Sequence, residues 1–168
     1  RGVGIAQSAP TSNPGVAYYV DGVFVPHETT IAHSFYDLGW IEVLRGPQGT
    51  LTGQNSTAGA IYVTTPQPEF GRFSAYVDQT LADYDWFRTV GAVNLPVGDT
   101  LALRVAATRD KRDSFTRNIG PSGTEPGSSN FKGYRASLRW QAASMQILDL
   151  RYEHYDLQSG YNAVKNRN

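Results

Sequence analysis

The chain has 168 residues, 15 basic and 15 acidic side chains for a net charge of zero, and no cysteine. That length suits one ordinary domain rather than two large ones. The charge balance offers no footprint for nucleic acid, and the lack of thiols excludes a disulfide scaffold, a Cys-ligated zinc site and a cysteine nucleophile. Charged residues make up 18% of the chain beside 17 glycines, 10 tyrosines and 7 phenylalanines, a composition nearer to all-β proteins than to helical bundles. No run approaches the roughly 18 apolar residues of a transmembrane helix, whereas barrel strands hide behind alternation and stay open as a reading. The first residue is Arg1 and no signal-peptide pattern is present, so a preceding segment is expected.

Residues 1–70 read as small strands and tight turns. The apolar bursts Val16-Ala17-Tyr18-Tyr19-Val20, Val23-Phe24-Val25, Ile41-Glu42-Val43-Leu44 and Ala60-Ile61-Tyr62-Val63 are strand-length and bounded by Gly, Pro, Asp or Asn. Asp21-Gly22 between two of them is the strongest hairpin signal in the chain. A short helix is expected around residues 31–38. Beyond Gly71 five segments of about ten residues follow, most with strict alternation, over 72–81, 86–95, 101–110, 134–141 and 146–154. Leu101, Leu103, Val105 and Ala107 fall on one face of their segment against Arg104, Ala106, Thr108 and Asp110 on the other. The pairs Leu103-Arg104, Leu138-Arg139 and Leu150-Arg151 repeat the same division. Tight turns are expected at 96–100 and 142–144, and a long polar loop over 113–132.

Two readings of these strands compete. In a soluble sandwich the apolar face packs into a core; in a membrane barrel it meets lipid while the charged face lines a wet lumen. Strand lengths of roughly 9–11 residues suit a tilted bilayer crossing. Short and long connections at opposite ends, and Tyr134, Trp140 and Tyr152 near strand ends on the apolar face, agree with the barrel.

Residues 41–65 carry a family signature. Ile41-Glu42-Val43-Leu44-Arg45-Gly46-Pro47-Gln48-Gly49-Thr50-Leu51, then Gly53-Gln54-Asn55-Ser56-Thr57-Ala58-Gly59-Ala60-Ile61-Tyr62-Val63-Thr64-Thr65, resembles the plug domain of TonB-dependent outer-membrane receptors. Tyr19-Val20-Asp21-Gly22-Val23 matches the upstream plug strand, while Thr52 and Ala58 depart from the family's usual Tyr and Gly. The resemblance implies an all-β fold with a mixed α+β plug part: a partial plug over residues 1–70, then about five antiparallel strands of a transmembrane β-barrel over 71–168. It further implies a whole barrel of about 22 strands. The location implied is the outer membrane of a Gram-negative bacterium. The function implied is import of a scarce nutrient, a ferric siderophore being the commonest cargo, with energy relayed by the TonB complex. That complex would contact a segment missing from this chain.

Arg45 is the candidate for an electrostatic lock between plug and barrel, with Glu42 as a second candidate; capping a turn or facing lumen water are the structural alternatives. His33, Phe35 and Tyr36 are candidate ligand contacts. Arg109, Lys111, Arg112 and Arg117 could attract an anionic chelate, although Asp110 and Asp113 among them equally describe a solvated strand end. His27, Glu28 and His33 match no metal-site spacing. Gly46 to Gly53 lacks the ending of a phosphate loop. No nucleophile elbow or triad is present, so neither catalysis, a metal site nor a cofactor is expected. The alternatives are a soluble all-β binding module, a receptor for cobalamin, haem or oligosaccharide, and a sensory receptor signalling through an N-terminal extension.

Overall fold

Asp21 and Gly22 both take positive φ, 46° and 82°, the geometry that turns a two-residue hairpin. The turn folds β2 (Val23–Phe24) back on β1 (Val16–Val20), pairing Tyr19 with Phe24 and Val20 with Val23. The computed structural model describes residues 15–26, 35–47, 58–115 and 126–160. The chain divides into two compact units, Arg1–Pro66 and Gln67–Asn168. In the first, β1 also pairs in parallel with β4 (Gly59–Thr64), and β4 pairs antiparallel with β3 (Trp40–Arg45). The result is a mixed sheet in the order β2-β1-β4-β3.

One face of this sheet buries Tyr18, Val20 and Val63, with Val25, Phe35, Leu38 and Ile61 packed around them. On the other face Tyr19 stacks on Tyr62 with ring centres 4.8 Å apart. Asp21 fastens the end of β4 to the hairpin. The Thr65 amide and hydroxyl each donate to one oxygen of its carboxylate at 2.8 Å, and the Asp21 amide donates to the Val63 carbonyl. Gly59 has φ of 155°, and a Cβ there would fall against the Leu44 carbonyl oxygen of β3. Of the two small residues at 58 and 59, the second is therefore the one that must be glycine. The helix expected over 31–38 is not seen in its described part, 35–38, which forms bends; residues 31–34 lie outside the described ones.

The second unit is an antiparallel meander, β5 (Ser74–Ala82), β6 (Trp86–Val97), β7 (Leu101–Arg112), β8 (Ser129–Ala143) and β9 (Gln146–Ser159), each strand paired with the next. The strands have 9, 12, 12, 15 and 14 residues, enough for a tilted bilayer crossing. They run past the alternating segments because backbone pairing continues where polar residues and Gly133 interrupt the pattern. β8 thus begins at Ser129 rather than Tyr134, and the long connection shortens accordingly. The connections alternate less cleanly than expected. β5 and β6 join through Asp83–Tyr84–Asp85, a tight turn at the same end of the sheet as the long β7–β8 connection, with Tyr84 and Asp85 at φ of 63° and 49°.

Asn94 ties the lead-in of this sheet to β6. It is fully buried; its amide group donates to the Glu69 and Arg72 carbonyls at 3.0 and 2.6 Å, and its oxygen accepts from the Glu69 amide at 2.9 Å. Asn94→Ala leaves these groups unpartnered and is expected to cost about 1–3 kcal/mol, read as faster hydrogen exchange at the Glu69 amide. Gly59→Ala must shift β3 away from β4. It is expected to destabilise the first sheet by more than about 1 kcal/mol, read as lost amide protection along Trp40–Arg45 with β5–β9 unchanged.

Candidate functional site

The register aligns the apolar residues of the meander into continuous cross-strand rows. Leu95, Leu103, Leu138 and Leu150 are mutual neighbours across four strands, and Ala75, Val93, Val105, Ala136 and Tyr152 form the next row across five. Above it runs Val77, Gly91, Ala107, Tyr134 and His154; below lies Val97, Leu101, Trp140 and Leu148. Aromatic rings therefore bound the apolar band, Trp140 on the side of the tight β8–β9 turn and Tyr134 with Tyr152 towards the other. The two tyrosines sit at the margin of the band rather than at the strand ends, because the strands extend beyond it.

This apolar face is the exposed one. Val77 is 77%, Leu150 56% and Trp140 46% exposed, while Asn94 and Arg135 on the opposite face are 0% and 2% exposed. A water-soluble sheet would show the reverse. The opposite face carries small residues beside long charged ones. Ala92, Ala106, Arg135 and Glu153 share a row, as do Asn94, Arg104, Ser137 and Arg151. Three of its cations face carboxylates on neighbouring strands. Arg139 reaches Asp149 at 2.9 Å and Arg135 reaches Glu153 at 3.8 Å, with Arg151 on the same carboxylate at 3.5 Å. Arg88 faces Asp110 at 3.9 Å, and the Trp86 indole donates to that aspartate at 2.8 Å. Such pairs, directly opposite in register, support the pairing of the strands.

The residues singled out from the sequence are dispersed. Arg45 and Glu42 both lie exposed on β3, three positions apart and so on opposite faces of the strand. Glu42 stands opposite Tyr62. The Tyr62 phenol is pushed above its ordinary value by desolvation first, then by Tyr19 and Glu42. Tyr36 is buried, 3% exposed, and Phe35 packs edge-on against Tyr18 with ring centres 6.4 Å apart. His27, Glu28, His33 and Arg117 lie outside the described residues. Arg109 and Arg112 do not form one patch: Arg109 lies on the exposed apolar side of β7, and Arg112 on the other, its guanidinium 5.7 Å from the Phe115 ring centre. The matched charges on the polar face and the hold of Asn94 escaped the sequence reading. A lone Asn inside an apolar strand, flanked by Val93 and Leu95, was the available signal for the latter.

No protein-family profile matches the chain. The chain is 34% identical over 138 residues to the pesticin receptors of Yersinia enterocolitica and Yersinia pestis, covering 82% of this chain and 19% of each relative. It thus spans about a fifth of the length of the curated relatives it matches. The ferric yersiniabactin uptake receptor FyuA from Yersinia pestis superposes with a TM-score of 0.71 at 26% identity, over 85% of this chain and 22% of that one. In fold alone, the ferripyoverdine receptor of the outer membrane of Pseudomonas aeruginosa matches with a TM-score of 0.67 at 18% identity, over 84% of this chain and 19% of that one. The copper transporter OprC matches with a TM-score of 0.68 at 16% identity, over 85% of this chain and 23% of that one. The plug signature, the outward apolar face and these likenesses place the chain in the family of TonB-dependent outer-membrane receptors, in the outer membrane of a Gram-negative bacterium.

Proposed function

We propose that this chain is the C-terminal part of a plug domain, residues 1–70, followed by the first strands of a transmembrane β-barrel, residues 71–168. The receptor it belongs to takes up a ferric siderophore with TonB-relayed energy. The observation that carries the barrel assignment is the inverted sheet: exposed leucines on one face, buried Arg135 and Asn94 on the other. In hydrocarbon every backbone group must find its partner within the protein. β5 and β9 each have one edge without a partner among the described residues, so further strands would complete the wall. The siderophore assignment is supported by the likeness to the ferric yersiniabactin uptake receptor, a solved structure 26% identical to this chain. A copper transporter shares the same fold, so cargo depends on groups beyond the strand framework.

Within this reading Arg45 is the plug's lock residue, an exposed cation at the end of β3 available to a barrel carboxylate, with Glu42 on the opposite face for a barrel cation. His33, Phe35 and Arg112 are the candidate ligand contacts, whereas Tyr36 is buried within the first unit. Of these, Arg112 is the described cation on the polar face at the long-connection end of the sheet.

The full-length receptor is expected in the outer-membrane fraction, extracted only by detergent, with electrophoretic migration that changes on heating; recovery as a detergent-independent soluble protein would overturn the assignment. Leu138→Arg places a charge in the apolar band and is expected to cost about 2–4 kcal/mol, seen as loss of the heat-modifiable species. Arg45→Gln is expected to lower the urea concentration that unfolds the plug while leaving barrel migration unchanged. An unaltered plug transition would remove Arg45 from the lock. Growth on ferric siderophores as sole iron source, compared with copper uptake, tests the cargo.

A further inference from the structure

The outward face is not uniformly bulky. In the row shared with Tyr134 and His154, β6 and β7 carry Gly91 and Ala107, and the missing side-chain volume opens a groove of about 520 Å³. Ala75, Val93 and Val105 line its lower part and Arg109 its upper end. Backbone geometry does not demand the glycine. A Cβ at Gly91 would sit 3.4 Å from the Tyr76 carbonyl oxygen and 3.6 Å from Val77 Cγ2, ordinary contacts, and its φ is not in the left-handed range.

The rim above the groove differs from the paired charges on the polar face. Arg135, Arg139 and Arg88 each face a carboxylate directly in register, whereas Arg109 faces Lys132, a like charge directly opposite. Such a pair is destabilising by itself. Neither cation has an ion pair within 4 Å among the described residues. Asp156 stands across from Lys132 on β9 without closing on it, and the neighbouring Lys111 is held by Asp113 at 3.3 Å. Arg109 and Lys132 thus sit side by side, without a closed ion pair, at the edge of the apolar band, over a groove that opens sideways from the sheet.

We propose that this groove binds a phosphate-headed acyl lipid, its chain lying over Gly91 and Ala107 and its phosphate between Arg109 and Lys132. The proposal rests on the barrel reading above, since only then does this face meet lipid. The occupant is fixed by charge complementarity. A neutral lipid would leave the like-charged pair uncompensated, and a free anion would leave the apolar groove unfilled.

Full-length receptor purified in neutral detergent is first checked for heat-modifiable migration; failure there removes the barrel reading itself, before any lipid is added. Native mass spectrometry then follows titration with phosphatidylglycerol, with diacylglycerol and with inorganic phosphate. The expected result is saturable phosphatidylglycerol binding that weakens about 25-fold in the double variant Arg109→Gln, Lys132→Gln, or roughly fivefold per cation. Ala107→Leu, which fills the groove without touching a charge, weakens it as well. Both variants leave heat modification unchanged. The proposal is overturned if both variants bind like the parent, if diacylglycerol binds as well as phosphatidylglycerol, or if inorganic phosphate binds as tightly as the lipid and Ala107→Leu has no effect. The last result would mark a simple anion site.

Discussion

A β-strand that slips by one residue exchanges its two faces. In the meander β5–β9 that exchange would carry Arg104, Arg135, Arg139 and Arg151 to the side now occupied by Leu95, Leu103, Leu138 and Leu150. Each arginine brought to mid-depth on a lipid face costs about 2–4 kcal/mol. Register is accordingly the constraint on which the structure depends. It is held by backbone ladders extending over most of each strand, and it is reinforced by carboxylates placed directly opposite Arg88, Arg135 and Arg139.

The same register accounts for the inverted distribution of side chains. The outward face can expose leucine, valine and aromatic rings because its surroundings are apolar, and the rings gather at the margins of the band, where a bilayer favours amphipathic groups. The inward face must accommodate long charged side chains, and it does so by setting them beside alanines. Ala92 and Ala106 share the row of Arg135 and Glu153, and Ala102 lies in line with Arg139 and Asp149. Small neighbours leave room for the guanidinium groups, and the carboxylates limit the cost of removing those charges from water.

The four-stranded sheet of the first unit is fastened differently. Among the described residues its buried core is Tyr18, Val20 and Val63, and local backbone fittings add to its definition. The left-handed Asp21-Gly22 turn, the two hydrogen bonds from Thr65 to Asp21, and the close approach of Gly59 to Leu44 each hold one strand end in place. The plug signature over residues 41–65 therefore contains residues whose role is conformational as well as those available for contact.

Much of this was legible from the amino acids alone. The hairpin at Asp21-Gly22, the five strands after Gly71 and the division of Leu103, Leu138 and Leu150 from Arg104, Arg139 and Arg151 follow from local geometry, because side chains alternate with a period of two residues and left-handed turns select few residue types. The plug signature likewise lies in one continuous stretch. What the tertiary structure decided is non-local. The parallel pairing of β1 with β4 joins segments more than forty positions apart, and no local pattern specifies it. The true strand ends depend on a partner's backbone, so β8 reaches Ser129 through residues that do not alternate. Arg109 and Arg112, grouped by sequence proximity, part company because an odd spacing on a strand points to opposite faces. The groove over Gly91 and Ala107 and the like-charged pair Arg109–Lys132 exist only once three strands are set in register. Periodicity tells each strand which face is apolar, and pairing decides which residues of different strands become neighbours.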